Sequence, residues 1–230
     1  MKTKPVRRRS ILPSIPKTAA SGQPAEADSS RLIVGISGAT GGIFGVRLLQ
    51  LLQHTQVETH LVVSKWGART LIHETPYSLA DVQKLATHHY SSLDQGAAIS
   101  SGSFLTCGMV VCPCSARSLA AIAHGYGDSL LHRAADVILK ERRKLVLVVR
   151  ETPFSEIHLE NMLKLSRMGA VIFPPLPAFY HHPKTLNDVI NQTVSRVLDQ
   201  FGIHLPSLHR WDGKMAAAGD EPQKQVSMGK

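Results

Sequence analysis

The sequence predicts an α/β protein, a three-layer Rossmann-like (flavodoxin-like) sandwich with a parallel sheet. Three observations support this class. A chain of 230 residues, 43% of them hydrophobic, suits one globular domain. Short β-rich runs alternate with stretches of helical period, and these runs are apolar on both faces, as in a parallel sheet covered by helices. No apolar run approaches the roughly 18 residues that a membrane-spanning helix needs, so no membrane span is expected.

The predicted elements follow one another as strand and helix along the chain. Five short apolar runs are predicted strands, at 32–36, 59–63, 109–112, 145–149 and 170–173. Stretches with apolar residues at three- and four-residue spacing are predicted helices, at 42–53, 66–73, 115–124, 130–143, 157–168 and 186–201. Ligands of such folds bind outside the carboxyl ends of the strands, so the residues after each strand are the candidate site.

Periodicity begins near residue 31 and stops near 205. We therefore predict a disordered basic tail over 1–30, one folded domain over 31–205 and a flexible tail over 206–230. The net charge of +9 lies partly in the first tail, and aromatic residues make up only 5% of the chain, so no nucleic-acid partner is expected. The expected location is the cytoplasm, with the mitochondrion as the alternative if the acid-poor 1–30 segment is a transit peptide.

The cysteines and paired histidines do not predict a metal site. Cys107, Cys112 and Cys114 are an odd number of thiols without a second ligand pair, which favours small buried thiols beside a strand end over zinc. His181 and His182 are adjacent and therefore point in different directions.

The turn after the first strand, GISGATGG over 35–42, lets a backbone approach a ligand and opens a helix whose N–H groups favour an anion. A tight turn without a ligand is the alternative. The second strand ends in Val63-Ser64-Lys65, without the acidic residue that NAD sites use for the ribose. Lys65 leaves an NADP-dependent reductase open, and Ser64 equally suits a flavin.

The third turn, 112–119, places Ser115 as a helix N-cap with Arg117 and Ser118 in the first helical turn. It predicts a second cradle for an anion or a ring edge, with a plain helix cap as the alternative.

Charged residues mark the remaining strand ends. Arg133 and Lys140 are seven residues apart and share a helix face, and Arg150-Glu151 follows an apolar strand. A carboxylate beside arginines suits a proton relay at a phosphate site. A proline-rich loop over 174–183 then presents Tyr180.

An ordered set of motifs across 31–203 resembles the UbiX-type flavin prenyltransferase family. The motifs are GISGATG, VSKWG, SSGSF, PCSARSLAAIAHG, RAADVILKERR, RETPFSEIHLENMLKLSRMGA, PPLPAFYHHP and RVLDQFG. The resemblance implies metal-free transfer of a dimethylallyl group from dimethylallyl monophosphate to N5 and C6 of reduced FMN. It further implies that the product, prenylated FMN, serves a UbiD-type decarboxylase, including one in ubiquinone synthesis, and that the chain forms a homododecamer.

The resemblance also implies roles for individual residues. The implied FMN contacts are Gly38, Ala39, Thr40, Ser64, Ser115, Ala116, Arg117, Ser118 and Arg150. The implied prenyl-phosphate contacts are Lys140, Tyr180 and Arg196, with Arg133 and Arg150 nearby. Glu151 is the implied proton relay to the leaving phosphate, and Glu74 matches a carboxylate implied to remove a proton.

Three other functions stay open on the sequence. They are an NADP-dependent reductase, an FMN-dependent decarboxylase of a cysteine-type substrate on the same fold, and a module that binds FMN without changing it. The RETP and PAFY motifs favour the prenyltransferase.

Overall fold

The structure is a computed structural model that describes residues 31–206 and 210–213. Its centre is a six-stranded sheet in the order β3-β2-β1-β4-β5-β6, and every neighbouring pair is parallel. The strands are β1 Arg31–Ile36, β2 Glu58–Val63, β3 His88–Tyr90, β4 Gly108–Cys114, β5 Lys144–Val149 and β6 Val171–Ile172.

Six helices and one short 3-10 turn connect the described strands, and a seventh helix follows the last strand. They are α1 Gly42–Leu52, α2 Lys65–Glu74, α3 Leu79–Gln83, the 3-10 turn Ala98–Ser100, α4 Ala116–Ala123, α5 Leu130–Lys140, α6 Glu156–Arg167 and α7 Leu186–Asp199. None of the helices in this described part is long and apolar enough to cross a membrane.

Two apolar cores lie on opposite faces of the sheet. One joins alternate strand residues such as Ile33 and Met109 to α4, α5 and α6. The other joins their neighbours, such as Val34 and Val110, to α1, α2 and α7. Successive strand residues point to opposite faces, so strands that are apolar throughout supply both cores. The predicted fold class is confirmed.

The predicted elements all form, with small shifts at their ends. Two corrections concern where an element stops. The third predicted strand continues past residue 112 to Cys114, through an irregular register after Val111. The helix predicted over 130–143 ends at Lys140, and Arg142 beyond it has a left-handed φ of 58°. Among the elements of the described residues, only β3, α3 and the 3-10 turn were not predicted.

The three cysteines are free thiols, as predicted. Cys112 and Cys114 are buried in β4, and Cys107 is partly buried just before it. Burial raises the pKa of the Cys107 thiol to about 11 and that of Cys114 to about 12. Both groups are therefore protonated and poorly nucleophilic at neutral pH. The predictions for 1–30, 207–209 and 214–230 fall outside the described residues, and the domain boundaries stay predictions.

Candidate flavin cleft

A cleft lies at the carboxyl edge of the sheet, where β1, β2, β4 and β5 end. Its central cavity of about 410 Å³ is lined by Gly38, Ser64, Lys65, Trp66, Ser92, Leu93, Ser115, Ala116, Arg117, Ser118, Asp128, Ser129, His132 and Glu151. A second cavity of about 510 Å³ shares Ser64, Lys65 and Ser92 with it. The central cavity has a size that suits a cofactor, and we call it the flavin cleft.

Three helices begin at the wall of this cleft, each at a serine N-cap. The hydroxyl of Ser64 accepts the N–H of Gly67 at 3.0 Å at the start of α2. The Ser115 and Ser129 hydroxyls cap α4 and α5 in the same way. Helix N-termini carry partial positive charge and unpaired N–H groups, so the wall suits an anionic group such as a phosphate.

Ser37 holds two of the cleft-forming turns together. Its buried hydroxyl donates to the carbonyl of Pro113 at 3.0 Å and accepts the N–H of Ser115 at 2.8 Å. The turn after β1 is thereby fixed against the turn after β4. The sequence did not identify Ser37 as a site residue, because its two hydrogen-bond partners lie 76 and 78 positions further along the chain.

A hydrogen-bonded chain of four side chains runs along the wall. Asp128 Oδ1 lies 2.8 Å from Nδ1 of His132, and Nε2 of His132 lies 3.2 Å from the Ser118 hydroxyl. The Ser115 hydroxyl donates to that of Ser118 at 3.2 Å. The Asp128 carboxylate favours the proton on Nδ1, which leaves Nε2 to accept from Ser118. The chain therefore fixes the orientation of both serines.

Asp128 and His132 were not predicted as site residues. The available signal was the Ser129 N-cap, which places position 132 in the first turn of a helix that begins at the sheet edge. Asp128 also pairs with Arg117, whose Nη2 lies 3.1 Å from Oδ2.

Gly38 and Trp66 meet where the first turn approaches α2. A Cβ added at Gly38 would lie only 2.5 Å from Cβ of Trp66, so no larger residue fits without moving the helix. The Trp66 ring is half-exposed, and the guanidinium of Arg69 lies 5.0 Å from its centroid. The contact leaves an aromatic ring at the mouth of the cleft.

Glu74 occupies the N-terminus of α1, where the sequence led us to expect a ligand phosphate. Its Oε2 accepts the N–H of Gly41 at 2.8 Å and that of Gly42 at 3.3 Å. Partial burial raises the pKa of the Glu74 carboxyl, but hydrogen bonds from the Thr40 hydroxyl and these two amides outweigh it and hold the pKa below the usual range. The anion at this turn is thus part of the protein.

Some predicted FMN contacts line the central cavity, and others do not. Gly38, Ser64, Ser115, Ala116, Arg117 and Ser118 line it together with Glu151. Ala39 is buried beside the turn, Thr40 contacts Glu74, and Arg150 is exposed next to Glu151. Of the predicted FMN contacts, only the first group lines the cavity within the described chain.

The predicted prenyl-phosphate residues lie elsewhere on the subunit. On α5, Arg133 donates to Asp136 at 2.8 Å and to the carbonyl of Ser100 at 3.2 Å. Lys140 forms an ion pair with Glu141. Neither side chain lines the flavin cleft of the described chain.

Tyr180 and Arg196 form part of a different cluster, around α7. Tyr180 is hydrogen-bonded to Gln192, and its ring lies 6.0 Å from that of Trp211. Arg196 donates to Asp199 at 2.6 Å, and Arg210 reaches the same carboxylate at 2.7 Å. The described chain therefore brings six of the nine implied flavin residues together in one cavity and places Arg133, Lys140, Tyr180 and Arg196 outside it.

The chain matches the Flavoprotein family over residues 21–198. It is also 61% identical over 183 residues to a probable UbiX-like flavin prenyltransferase of Bacillus subtilis, covering 80% of this chain and 90% of the relative. The chain belongs to the UbiX-like flavin prenyltransferase family. A mitochondrial member from Saccharomyces cerevisiae, flavin prenyltransferase PAD1, is 58% identical, with 80% of this chain and 76% of that protein covered.

Two solved structures of this flavin prenyltransferase family share the fold. A dodecameric FMN-dependent UbiX-like decarboxylase from Escherichia coli O157:H7 is 59% identical with a TM-score of 0.78, over 80% of this chain and all of that one. AnUbiX (PadA1), in complex with FMN and dimethylallyl pyrophosphate, is 50% identical with a TM-score of 0.79, over 80% and 98% of the two chains.

Proposed function

We propose that this chain is a flavin prenyltransferase that transfers a dimethylallyl group from dimethylallyl monophosphate to N5 and C6 of reduced FMN. The observation that carries the proposal is the flavin cleft, which combines three helix N-termini with the carboxylate of Glu151. Family membership favours this reaction over the reductase, the cysteine-type decarboxylase and the passive flavin carrier. The AnUbiX complex, which holds FMN and dimethylallyl pyrophosphate, supports a flavin acceptor and a dimethylallyl donor.

The residues of the cleft fit FMN. Hydroxyl groups and helix N-termini on one wall suit a phosphate and a ribityl chain, whereas Trp66 supplies an aromatic surface. Reduced FMN supplies the nucleophilic atoms N5 and C6. The proposed contacts are Gly38, Ala39, Thr40, Ser64, Ser115, Ala116, Arg117, Ser118 and Arg150.

Glu151 is proposed to carry the proton of the reaction to the leaving phosphate. It lines the cavity, and its Oε1 accepts the N–H of Thr152 at 3.1 Å, which fixes the carboxylate at the end of β5. Arg150 precedes it and supplies positive charge beside the leaving group. Glu74 is proposed to remove a proton, and its lowered pKa keeps it ionised at neutral pH.

The prenyl phosphate is proposed to bind where subunits meet. Arg133, Lys140, Tyr180 and Arg196 lie outside the flavin cleft of their own chain, and the E. coli relative is a dodecamer. A homododecamer of this chain would bring these residues to a neighbour's cleft. Fixed cations of this kind stabilise a departing phosphate without a metal.

A UbiD-type decarboxylase is the proposed recipient of prenylated FMN. The proposed location is the cytoplasm, and the mitochondrial yeast relative supports the organelle as the alternative. Microscopy of the full chain and of a chain starting at Ser29, each carrying a C-terminal fluorescent protein, separates the two. Mitochondrial signal for the full chain alone would assign residues 1–30 as a transit peptide.

Mass spectrometry of the flavin tests the reaction directly. The full chain is incubated anaerobically with reduced FMN and dimethylallyl monophosphate, and in parallel with the pyrophosphate. We expect the released flavin to gain one C5H8 unit, with the monophosphate as the better donor. Reactions without protein and with Glu151→Gln are the controls. Unchanged FMN, from protein shown to bind it, would contradict the proposal and favour the cysteine-type decarboxylase or the passive flavin carrier.

A further inference from the structure

Three side chains with metal-ligand chemistry meet where β2 and β3 begin. Glu58 and His60 are two residues apart on β2 and so share a face of the sheet, and His88 is directly opposite His60 in the register of β3. Oε1 of Glu58 lies 3.2 Å from Nε2 of His60 and 3.0 Å from Nε2 of His88. The three candidate ligand atoms all lie within 4.8 Å of one another.

His60 provides an independent indication of a ligand. Its side chain is only 2% exposed, and its Nε2 forms no hydrogen bond of normal geometry with any described residue. A buried polar atom without a partner is costly. A neutral imidazole has the lone pair that a metal ion requires.

The neighbours of His60 and Glu58 orient both groups for a shared ion. The Tyr90 hydroxyl lies 2.9 Å from Nδ1 of His60, so a proton on Nδ1 can be donated to Tyr90 and leave the Nε2 lone pair facing Glu58. Arg31 Nε donates to Oε2 of Glu58 at 3.1 Å, which turns Oε1 toward the two imidazoles. The Arg31 guanidinium lies over the Phe104 ring at 5.0 Å.

We propose that Glu58, His60 and His88 bind a divalent transition-metal ion of the zinc class at the amino-terminal edge of the sheet. Ligand atoms around tetrahedral Zn²⁺ lie about 3.3 Å apart, because each bond is about 2.0–2.2 Å long. The Glu58 distances of 3.0 and 3.2 Å match that spacing. Two imidazoles exclude Mg²⁺ and Ca²⁺, which prefer oxygen ligands. Water completes the coordination, since half of the His88 side chain is exposed.

The proposed ion is separate from the flavin chemistry. Glu58 begins β2 and Ser64 follows its other end, so about 13–20 Å of strand lies between the two β2 ligands and the flavin cleft. β3 is an edge strand of only three residues that pairs with β2 alone. An ion shared by the two strands would stabilise this edge of the sheet. This role goes beyond the proposed function and does not depend on it.

Metal titration of the full chain tests the site. The protein is freed of metals with a chelator, which is then removed, and Zn²⁺ is titrated against a chromophoric competitor. His88→Ala and Glu58→Gln remove one ligand each at partly exposed positions. The matched control is His89→Ala, which removes an exposed histidine from the opposite face of the same strand. Co²⁺ absorption provides a second readout, because its intensity reports a low coordination number with nitrogen ligands.

We expect one Zn²⁺ per subunit in the unaltered chain and in His89→Ala, with affinity at least roughly tenfold weaker in the two ligand variants. Saturating Zn²⁺ should raise the melting temperature of the unaltered chain and of His89→Ala more than that of His88→Ala and Glu58→Gln. No stoichiometric uptake by the unaltered chain would overturn the proposal, as would equal affinities in His88→Ala and His89→Ala. Far-UV circular dichroism, which should be the same in all variants, verifies that each is folded.

Discussion

The carboxyl edge of the sheet and the α5–α7 surface are built in different ways. At the carboxyl edge, polar side chains of one chain face a common cavity and bond to one another, as in the chain from Asp128 through His132 to Ser118. On the other surface, Arg133, Lys140 and Arg196 each pair with an acid of their own helix or the next residue. A single subunit therefore preorganises the flavin half of the proposed site and leaves the prenyl-phosphate cations paired elsewhere.

Of the variants considered, Glu151→Gln should cause the largest loss of turnover. Loss of a positioned proton-transfer group costs about 10²–10⁴-fold in rate, so we expect turnover to fall by at least about 100-fold while FMN affinity stays unchanged. Single-turnover flavin prenylation and fluorescence titration of FMN measure the two quantities. Full activity in Glu151→Gln would remove Glu151 from the proton path.

Lys140→Ala tests whether the Lys140 ammonium group acts across a subunit boundary. We expect it to retain FMN but to lose turnover at low prenyl phosphate. Mixed oligomers of Lys140→Ala and Glu151→Gln chains, isolated through two different tags, should regain activity. In a random mixture about a quarter of the sites would combine an intact Glu151 with a neighbour's intact Lys140. No recovery would place Lys140 in the cleft of its own chain.

Gly38→Ala should weaken FMN binding without affecting the prenyl-phosphate residues. The added methyl group would lie 2.5 Å from Cβ of Trp66, and relief of such a contact costs about 1–3 kcal/mol. We expect FMN affinity to fall about tenfold as α2 moves. Gly96→Ala is the control, because its methyl group would meet only Asp94 at an ordinary 3.5 Å. Equal affinities in the two variants would show that the approach of Gly38 to Trp66 does not shape the cleft.

His132→Ala should weaken FMN binding by a smaller factor than Gly38→Ala does. It removes the group that links Asp128 to Ser118, so Ser115 and Ser118 lose part of their orientation. A hydrogen bond contributes about 0.5–1.5 kcal/mol, and we expect FMN to bind about threefold to tenfold more weakly. His124→Ala is matched, since it removes a bond of 3.0 Å to Asn161 outside the cleft lining. If both variants bind FMN equally, the chain has no role in positioning.

Asp199→Asn should act on the α7 surface and spare the flavin cleft. Hydrogen bonds from Arg210, opposed by burial and reinforced by His204 and Arg196, hold the pKa of the Asp199 carboxyl well below its usual range. A lowered pKa stabilises the fold above the unfolded-state value near 3.8, and the benefit fades as pH falls below it. We expect a melting temperature about 2–4 °C lower at pH 7, with the difference narrowing below about pH 4. If the difference in melting temperature instead widened as the pH fell, the lowered pKa of Asp199 would not be its cause.

Sequence reasoning predicted the fold well because helical and strand periods are local signals. Each apolar strand lies within two residues of its predicted ends. It missed β3, since the three residues His88–Tyr90 show no apolar alternation. The serines after the strands were found for the same local reason, because an N-cap is recognised by its neighbours in the chain.

The rest of the site depends on long-range pairing, which a single sequence does not show. His132 meets Ser118 across 14 positions, and Ser37 meets Ser115 across 78. The Glu58, His60 and His88 cluster needs the register of two strands, so the search for metal ligands turned to His181 and His182 instead. In the proposed assembly, Lys140 and Arg196 reach a cleft only through a second subunit.

Glu74 makes the first glycine turn discriminate between kinds of nucleotide. Dinucleotide-binding folds rest the pyrophosphate of NAD or NADP on the helix that follows this turn. Here the amides of Gly41 and Gly42 already donate to a carboxylate that is ionised at neutral pH. A pyrophosphate would find its donors taken and a like charge in place. We therefore expect NAD and NADP to compete poorly with a mononucleotide at this turn, although its backbone is that of a dinucleotide fold.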